Sequence, residues 1–190
     1  SHHTSGTDRI IEVVKSKQLV GIIVNVQGDE PLIAPQLLDD IIQQFNDPKV
    51  NIVTACKQLT DSDELFDYNI VKVVKSTQNE ALYFSRNAIP AFKTLPYKEW
   101  LFQTKYYKHI GIYAFRGETL LEISNLQVST LEKAESLEQL RWLEAGFSIH
   151  CIETEFDSVS VDTEDDIEKV VQILVSQNIE QHINLTDFDG

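Results

Sequence analysis

The sequence predicts an α/β fold, with a mostly parallel core sheet and an antiparallel insertion near residues 70–116. Three observations predict it. "GIIVNV" (21–26), "APQLLDDIIQQFND" (34–47) and "VNIVTACKQ" (50–58) alternate short apolar, amphipathic and apolar runs at the lengths of a parallel βαβ unit. "IVKVVKS" and "EALYFSR" are strand-like runs separated only by "TQN", as in a hairpin. The C-terminal half carries two helix patterns with clear start signals. With 190 residues, the chain fits one domain, expected over residues 1–180 with the insertion inside it and residues 181–190 as a tail.

Each element has its own reason. "DRIIEVVKSK" (8–17) spaces apolar residues for a helix, with Thr7 or Asp8 as its cap. Residues 21–26 form a strand buried on both faces. Pro35 sits in the first turn of the next helix, where its missing N–H costs nothing. "NAIPAFKTLPYKEWLFQTK" (87–105), with two prolines, reads as a surface loop, and the aromatic "YYKHIGIYAFR" (106–116) as a long strand. "STLEKAESLEQLRWLEAGF" (129–147) forms one helix: Ser129 and Glu132 make a capping box and Gly146 ends it. "FSIHCIET" (147–154) is a strand, and "VDTEDDIEKVVQILVSQ" (161–177) a helix with acidic residues in its first turn.

Composition excludes several classes. A formal net charge of −14 argues against nucleic acid, and an anionic substrate would need local cations or a metal. No apolar run is long enough to span a membrane and no signal peptide opens the chain. The two cysteines, Cys56 and Cys151, read as buried thiols of a reducing compartment. There is no P-loop, no GxGxxG, no HExxH and no nucleophile elbow.

Chemistry concentrates at strand ends, where open α/β sheets bind ligands. "VNVQGDEP" (24–31) ends an apolar strand in Gly28, Asp29, Glu30 and Pro31: either an acidic surface turn or carboxylates held over a crevice. Asp162 has the same setting and is equally an N-cap. Two carboxylates from different strand ends are the hard oxygen ligands that Mg²⁺ takes, alongside substrate phosphates. "SGTDR" (5–9) places small residues and Arg9 at a helix start, either a plain cap or a phosphate contact. His109, Gly111 and Tyr113 share one strand face at period two, with Lys108 opposite. Arg86 ends a strand as a candidate fork for a carboxylate or phosphate, or as a surface arginine. Leu137 and Leu140 follow core spacing, so Glu138, Gln139 and Arg141 lie off that stripe, solvated or lining a site.

Six ordered blocks, "HHTSGTDR", "VNVQGDEP", "ALYFSRNAIP", "YKHIGIYAF", "LEKAESLEQLRWLE" and "VDTEDDIEKV", spread over residues 2–171, resemble the 3-deoxy-manno-octulosonate (KDO) cytidylyltransferases, or CMP-KDO synthetases. "VNVQGDEP" with "HIGIY" and "ESLEQLR" is fairly specific to that family. The resemblance implies a Rossmann-like nucleotidyltransferase fold and a cytoplasmic, Mg²⁺-dependent homodimer that transfers CMP from CTP to KDO, an acidic eight-carbon sugar, for lipopolysaccharide synthesis. It implies Asp29 and Asp162 as the catalytic metal ligands and Ser5, Gly6, Thr7 and Arg9 at the nucleotide. It places Gln27, Arg86, His109, Tyr113, Glu138 and Gln139 around KDO. Strand 106–115 and the helix near Trp142 are expected at the dimer interface.

The departures are specific. Ser160 and Glu164 stand where the family commonly has a small residue and proline. The family pattern begins with a strand and a basic Gly- and Pro-containing loop for the CTP phosphates, which these residues lack. We expect them to be part of a longer enzyme, since a doubly wound sheet without its central strand exposes apolar edges. The alternatives are a truncated, inactive dimerisation or sugar-binding module, and an enzyme for another acidic sugar, such as sialic acid or an amino-KDO.

Overall fold

The computed structural model describes residues 6–28, 32–157, 167–168, 170–172 and 175. It divides into two compact units: Ser1–Val26 with Ala34–Asp157, and Gln27–Ile33 with Ser158–Gly190. In the second unit, residues 167, 168, 170–172 and 175 are helical, and Val170 is buried.

The first unit is built on a six-stranded sheet. Its strands are β1 (Ile22–Asn25), β2 (Ile52–Leu59), β3 (Lys72–Lys75), β4 (Ala81–Ser85), β5 (Tyr106–Arg116) and β6 (His150–Glu153). Seven α-helices accompany them among the described residues: α1 (Gly6–Lys17), α2 (Pro35–Gln43), α3 (Ser62–Phe66), α4 (Trp100–Gln103), α5 (Gly117–Ile123), α6 (Thr130–Glu135) and α7 (Gln139–Glu144). No helix among the described residues is long and apolar enough to cross a membrane.

The sheet corrects the expected neighbours. β1, β2, β3 and β6 all run one way, as a mostly parallel reading requires, but β5 runs against them and lies between β1 and β2. Phe115 of β5 is thus paired with Ile23 on one side and Ile52 on the other. Adjacent pairing is therefore antiparallel everywhere among the described strands except β2 with β6. The reason is burial. Ile110, Ile112, Ala114 and Phe115 are at most 2% exposed, and a strand this apolar is most stable with neighbours on both edges. β1, by contrast, is only partly covered along Ile22–Val24 rather than buried on both faces.

Other expectations hold with changes. The β3–β4 hairpin is present, turning through Asn79 at φ 62°. Pro35 opens α2 at its first position. α1 begins at Gly6, so Thr7 and Asp8 lie within its first turn instead of capping it. The segment 87–105 is no plain surface loop. Its Trp100 is buried, donates from the indole to Leu95 O at 3.1 Å and lies parallel to Tyr106, forming a satellite core with Leu59 and Leu65.

The single helix expected over 129–147 is two. The Ser129–Glu132 capping box is present, but α6 ends at Ser136, which adopts φ 54° and ψ 47°. Arg86 explains the break. Its Nε donates to Glu135 O at 2.9 Å and its Nη2 to Ser136 O at 3.5 Å, meeting the carbonyls that a helix end leaves free. The Glu135 carboxylate then receives Ser85 Oγ at 2.7 Å and the Arg86 amide at 3.0 Å. α7 restarts after this clamp and presents Leu140 and Trp142 to the core.

Candidate functional site

The site begins with an irregularity in β5. Tyr113 pairs with Thr54, yet the next step of β2, Ala55, pairs with Ile110. Gly111 and Ile112 are thus extra residues in β5, a bulge. Because two residues are inserted, side-chain alternation is preserved, and His109 and Tyr113 keep the common face the sequence predicts. Their ring centroids lie 5.3 Å apart. Phe84 of β4 meets His109 edge-on at 5.0 Å, and Trp142 of α7 meets Tyr113 edge-on at 4.9 Å.

Thr54, fully buried, anchors this group. Its Oγ1 lies 2.7 Å from Ile112 O, 3.3 Å from Ile110 O and 2.9 Å from His109 Nε2. His109 is half-buried, and desolvation pushes its pKa down to about 3, so the imidazole is neutral at working pH. Burial likewise raises the Tyr113 phenol, which stays protonated. The Tyr113 hydroxyl is buried facing Thr54, whose side chain works to lower its pKa, but it makes no hydrogen bond of ordinary geometry among the described residues, and neither does Trp142 Nε1. Unpaired buried polar groups are uncommon and mark places where a ligand or water completes the set.

A second connection joins distant blocks. Thr7, buried on α1, donates from Oγ1 to Glu138 Oε2 at 2.7 Å, across 131 residues. Arg141 stands 3.9 Å from the other Glu138 oxygen and grips Glu132 bidentately, with Nε to Oε2 at 2.7 Å and Nη2 to Oε1 at 2.5 Å. Burial works to raise the Glu132 pKa, but Arg141 and the Ser129 amide overcome it and hold the carboxyl below its ordinary value. Gln139 is buried at the start of α7, not solvated.

Arg86 is no free surface arginine. Besides closing α6, it donates from Nη1 to Tyr68 O at 3.1 Å. Its three guanidinium partners are neutral carbonyls, so its charge is not spent on a carboxylate and its remaining N–H groups stay available. Lys108 is committed elsewhere, to Glu64 and Asp157, both at 2.9 Å. Gly6 starts α1, and Arg9 is exposed on it. Gln27, partly buried, belongs to the second unit. Ser5, Asp29 and Asp162 lie outside the described residues. Among those that are described, no cluster of three His, Cys, Asp or Glu side chains is arranged to hold a metal ion.

Comparison with known proteins places this geometry. The family model described as cytidylyltransferase matches residues 1–149. The chain belongs to the cytidylyltransferase family. It is 44% identical over 180 residues to a 3-deoxy-manno-octulosonate cytidylyltransferase of Parabacteroides distasonis, covering 92% of this chain and 72% of that protein. A protein of the same name from Cytophaga hutchinsonii is 43% identical, with 88% and 68% covered. A solved structure of CMP:2-keto-3-deoxy-manno-octonic acid synthetase complexed with CTP superposes at a TM-score of 0.83 and 38% identity, over 93% of this chain and 70% of that one. The Rossmann-like nucleotidyltransferase fold expected from the resemblance is the fold of this cytidylyltransferase.

Residues that carry little signal in the sequence hold this candidate site of the cytidylyltransferase together. Thr54 had one visible signal, a hydroxyl at an inward position of an apolar strand. Glu135 and Ser136 had none, because nothing in "KAESLEQ" marks a helix break. Lys72 is wholly buried, its ammonium donating to Asp67 O at 2.7 Å and Ile70 O at 2.5 Å, and desolvation lowers its pKa. It holds from below the turn whose Tyr68 carbonyl Arg86 grips. Trp142, expected near a dimer interface, is 1% exposed and belongs to the core, as do Tyr106 and Phe115 of β5.

Proposed function

We propose that the protein is a CMP-KDO synthetase: the anomeric hydroxyl of KDO attacks the α-phosphorus of CTP, CMP-KDO forms and pyrophosphate leaves. The product serves lipopolysaccharide synthesis. The observation that carries this reading is the Thr7–Glu138 hydrogen bond. It joins the block assigned to the nucleotide with the block assigned to the sugar, so the two substrates would meet where α1 faces α7. The names of the relatives, at 43–44% identity over most of the chain, support the same pair of substrates.

The residues divide the work by chemistry. The Arg86 guanidinium, with N–H groups to spare and no carboxylate partner among the described residues, takes the KDO carboxylate. Tyr113, Glu138, Gln139 and the neutral imidazole of His109 take its hydroxyls, and the resemblance assigns Gln27 to sugar and cytidine. Gly6, Thr7 and Arg9, with Ser5, meet the nucleotide from the start of α1. Asp29 and Asp162 are hard oxygen donors suited to Mg²⁺, which would neutralise phosphate charge and polarise the α-phosphorus. Catalysis then consists of positioning and charge neutralisation with no covalent intermediate. We further propose that the enzyme acts in the cytoplasm as a homodimer. Leu82, Tyr97 and Phe102, exposed apolar residues of the insertion, support pairing.

The test is pyrophosphate release from CTP with KDO and Mg²⁺. Release is expected with KDO and in its absence none. Release with sialic acid or an amino-KDO alone moves the substrate, and release with no acidic sugar at all overturns the reading. Asp29→Asn and Asp162→Asn are each expected to abolish turnover while circular dichroism stays unchanged. Wild-type rates in either variant overturn the metal assignment.

A further inference from the structure

We infer that Thr54 is a positioning residue for the sugar pocket: it locks His109 as the Nε2–H tautomer and leaves Nδ1 an acceptor for one ligand hydroxyl. The inference rests on the reading that His109 and Tyr113 line the sugar subsite.

The argument is a count of protons. A threonine hydroxyl has one hydrogen and two lone pairs. Around Thr54 Oγ1 lie the carbonyl oxygens of Ile112 and Ile110, at 2.7 and 3.3 Å, and these only accept, whereas the nearby Tyr113 hydroxyl can donate to it. The proton therefore goes to a carbonyl, and Oγ1 meets His109 Nε2, 2.9 Å away, with a lone pair. Nε2 must then carry the ring proton. In the other tautomer Nε2 would demand the same hydroxyl proton and leave two oxygens facing at 2.7 Å with no hydrogen between them.

Two carbonyls converge on one hydroxyl because of the bulge. Ile110 borders the bulge of β5 and Ile112 lies within it, and both carbonyls reach the Thr54 hydroxyl on β2. Thr54 satisfies the bulge and sets the ring with the same atom. Alanine or valine at that place in "NIVTACKQ" would serve the strand as well and do neither.

The consequence lies on the far side of the ring. Nδ1 makes no hydrogen bond among the described residues, the ring's one such partner being Thr54 at Nε2. A sugar hydroxyl donates to Nδ1, the acceptor that this tautomer leaves open. Sites built this way reject analogues that lack the hydroxyl. Burial keeps the imidazole neutral, so the acceptor persists.

The experiment is ¹⁵N-edited NMR of the imidazole in the protein, with Thr54→Val and Thr54→Ser beside it. The expected result is a proton on Nε2 and a bare Nδ1 in the wild type and Thr54→Ser. Thr54→Val should give mixed or reversed protonation, with KM for KDO raised about tenfold, KM for CTP unchanged, and near-wild-type values restored by Ser. A proton on Nδ1 in the wild type overturns the inference without any variant. A tautomer indifferent to Thr54→Val overturns the role of Thr54. If the tautomer behaves as expected but saturating KDO leaves the His109 and Tyr113 signals unmoved, the sugar-subsite reading fails, and the ligand-facing role with it.

Discussion

Acidification from about pH 7.5 to about pH 5 is expected to cost about 2 kcal/mol of stability through His109 alone. In the unfolded chain the imidazole titrates at its ordinary 6.5, whereas in the fold desolvation holds it at about 3. Between those values the unfolded state binds a proton that the folded state refuses. Stability is therefore full above 6.5 and falls with pH below it, by about 1.4 kcal/mol per pH unit, levelling off near 3. From 6.5 to about pH 5 the loss is about 2 kcal/mol. The carboxyls held low by their cations, Glu132, Glu153 and Asp157, lose their contribution further down, beneath their ordinary values of 4.5 and 3.8. The assay is urea unfolding of the wild type and His109→Gln at both pH values. Gln cannot take up a proton, so the wild type should lose about 2 kcal/mol more than the variant. Equal losses would refute the reasoning, because they would mean that the Thr54 and Phe84 surroundings do not exclude the charged ring.

Three further outcomes follow from other contacts. Arg141→Gln removes a bidentate grip between two largely buried charges, so urea unfolding should show a loss of about 2–3 kcal/mol and the Glu132 pKa should rise. Ser136→Gly relaxes a left-handed residue while keeping the carbonyl that Arg86 uses, and should raise stability by about 0.5–1 kcal/mol in thermal unfolding. Thr7→Val deletes the donor to Glu138 at nearly constant volume; KM for KDO should rise by about tenfold while far-UV circular dichroism stays unchanged, and an unaltered KM would remove this bond from the site.

Much of the candidate site was legible from residue types, at a strand end for Arg86 and at period two along β5 for His109 and Tyr113. Arg86, His109, Tyr113, Glu138 and Gln139 all lie in the first unit, and the period-two reading of β5 survives the bulge because two residues are inserted, not one. What each does was less legible. Arg86 looked like a free fork and proves also to close a helix. His109 looked like a polar strand residue and is held neutral by its neighbours. Both differences come from partners far away in sequence, Glu135 for Arg86 and Thr54 for His109, which no local window contains.

The sequence by itself determined the kinds of elements and most of their bounds. Apolar spacing, the Ser129 capping box, Pro35 and the "TQN" turn act over a few residues, and local backbone chemistry suffices to set them. It also determined the family, through blocks whose order is linear. Only the tertiary structure decided that β5 would separate β1 from β2, that one helix would become two at Ser136, and that Thr54 would sit under His109. Each of these depends on which apolar strand claims the centre of the sheet, and on which buried carbonyl or ring nitrogen is left needing a partner. Burial and hydrogen-bond satisfaction are properties of the whole packed unit, so they emerge only when residues dozens of positions apart are brought into contact.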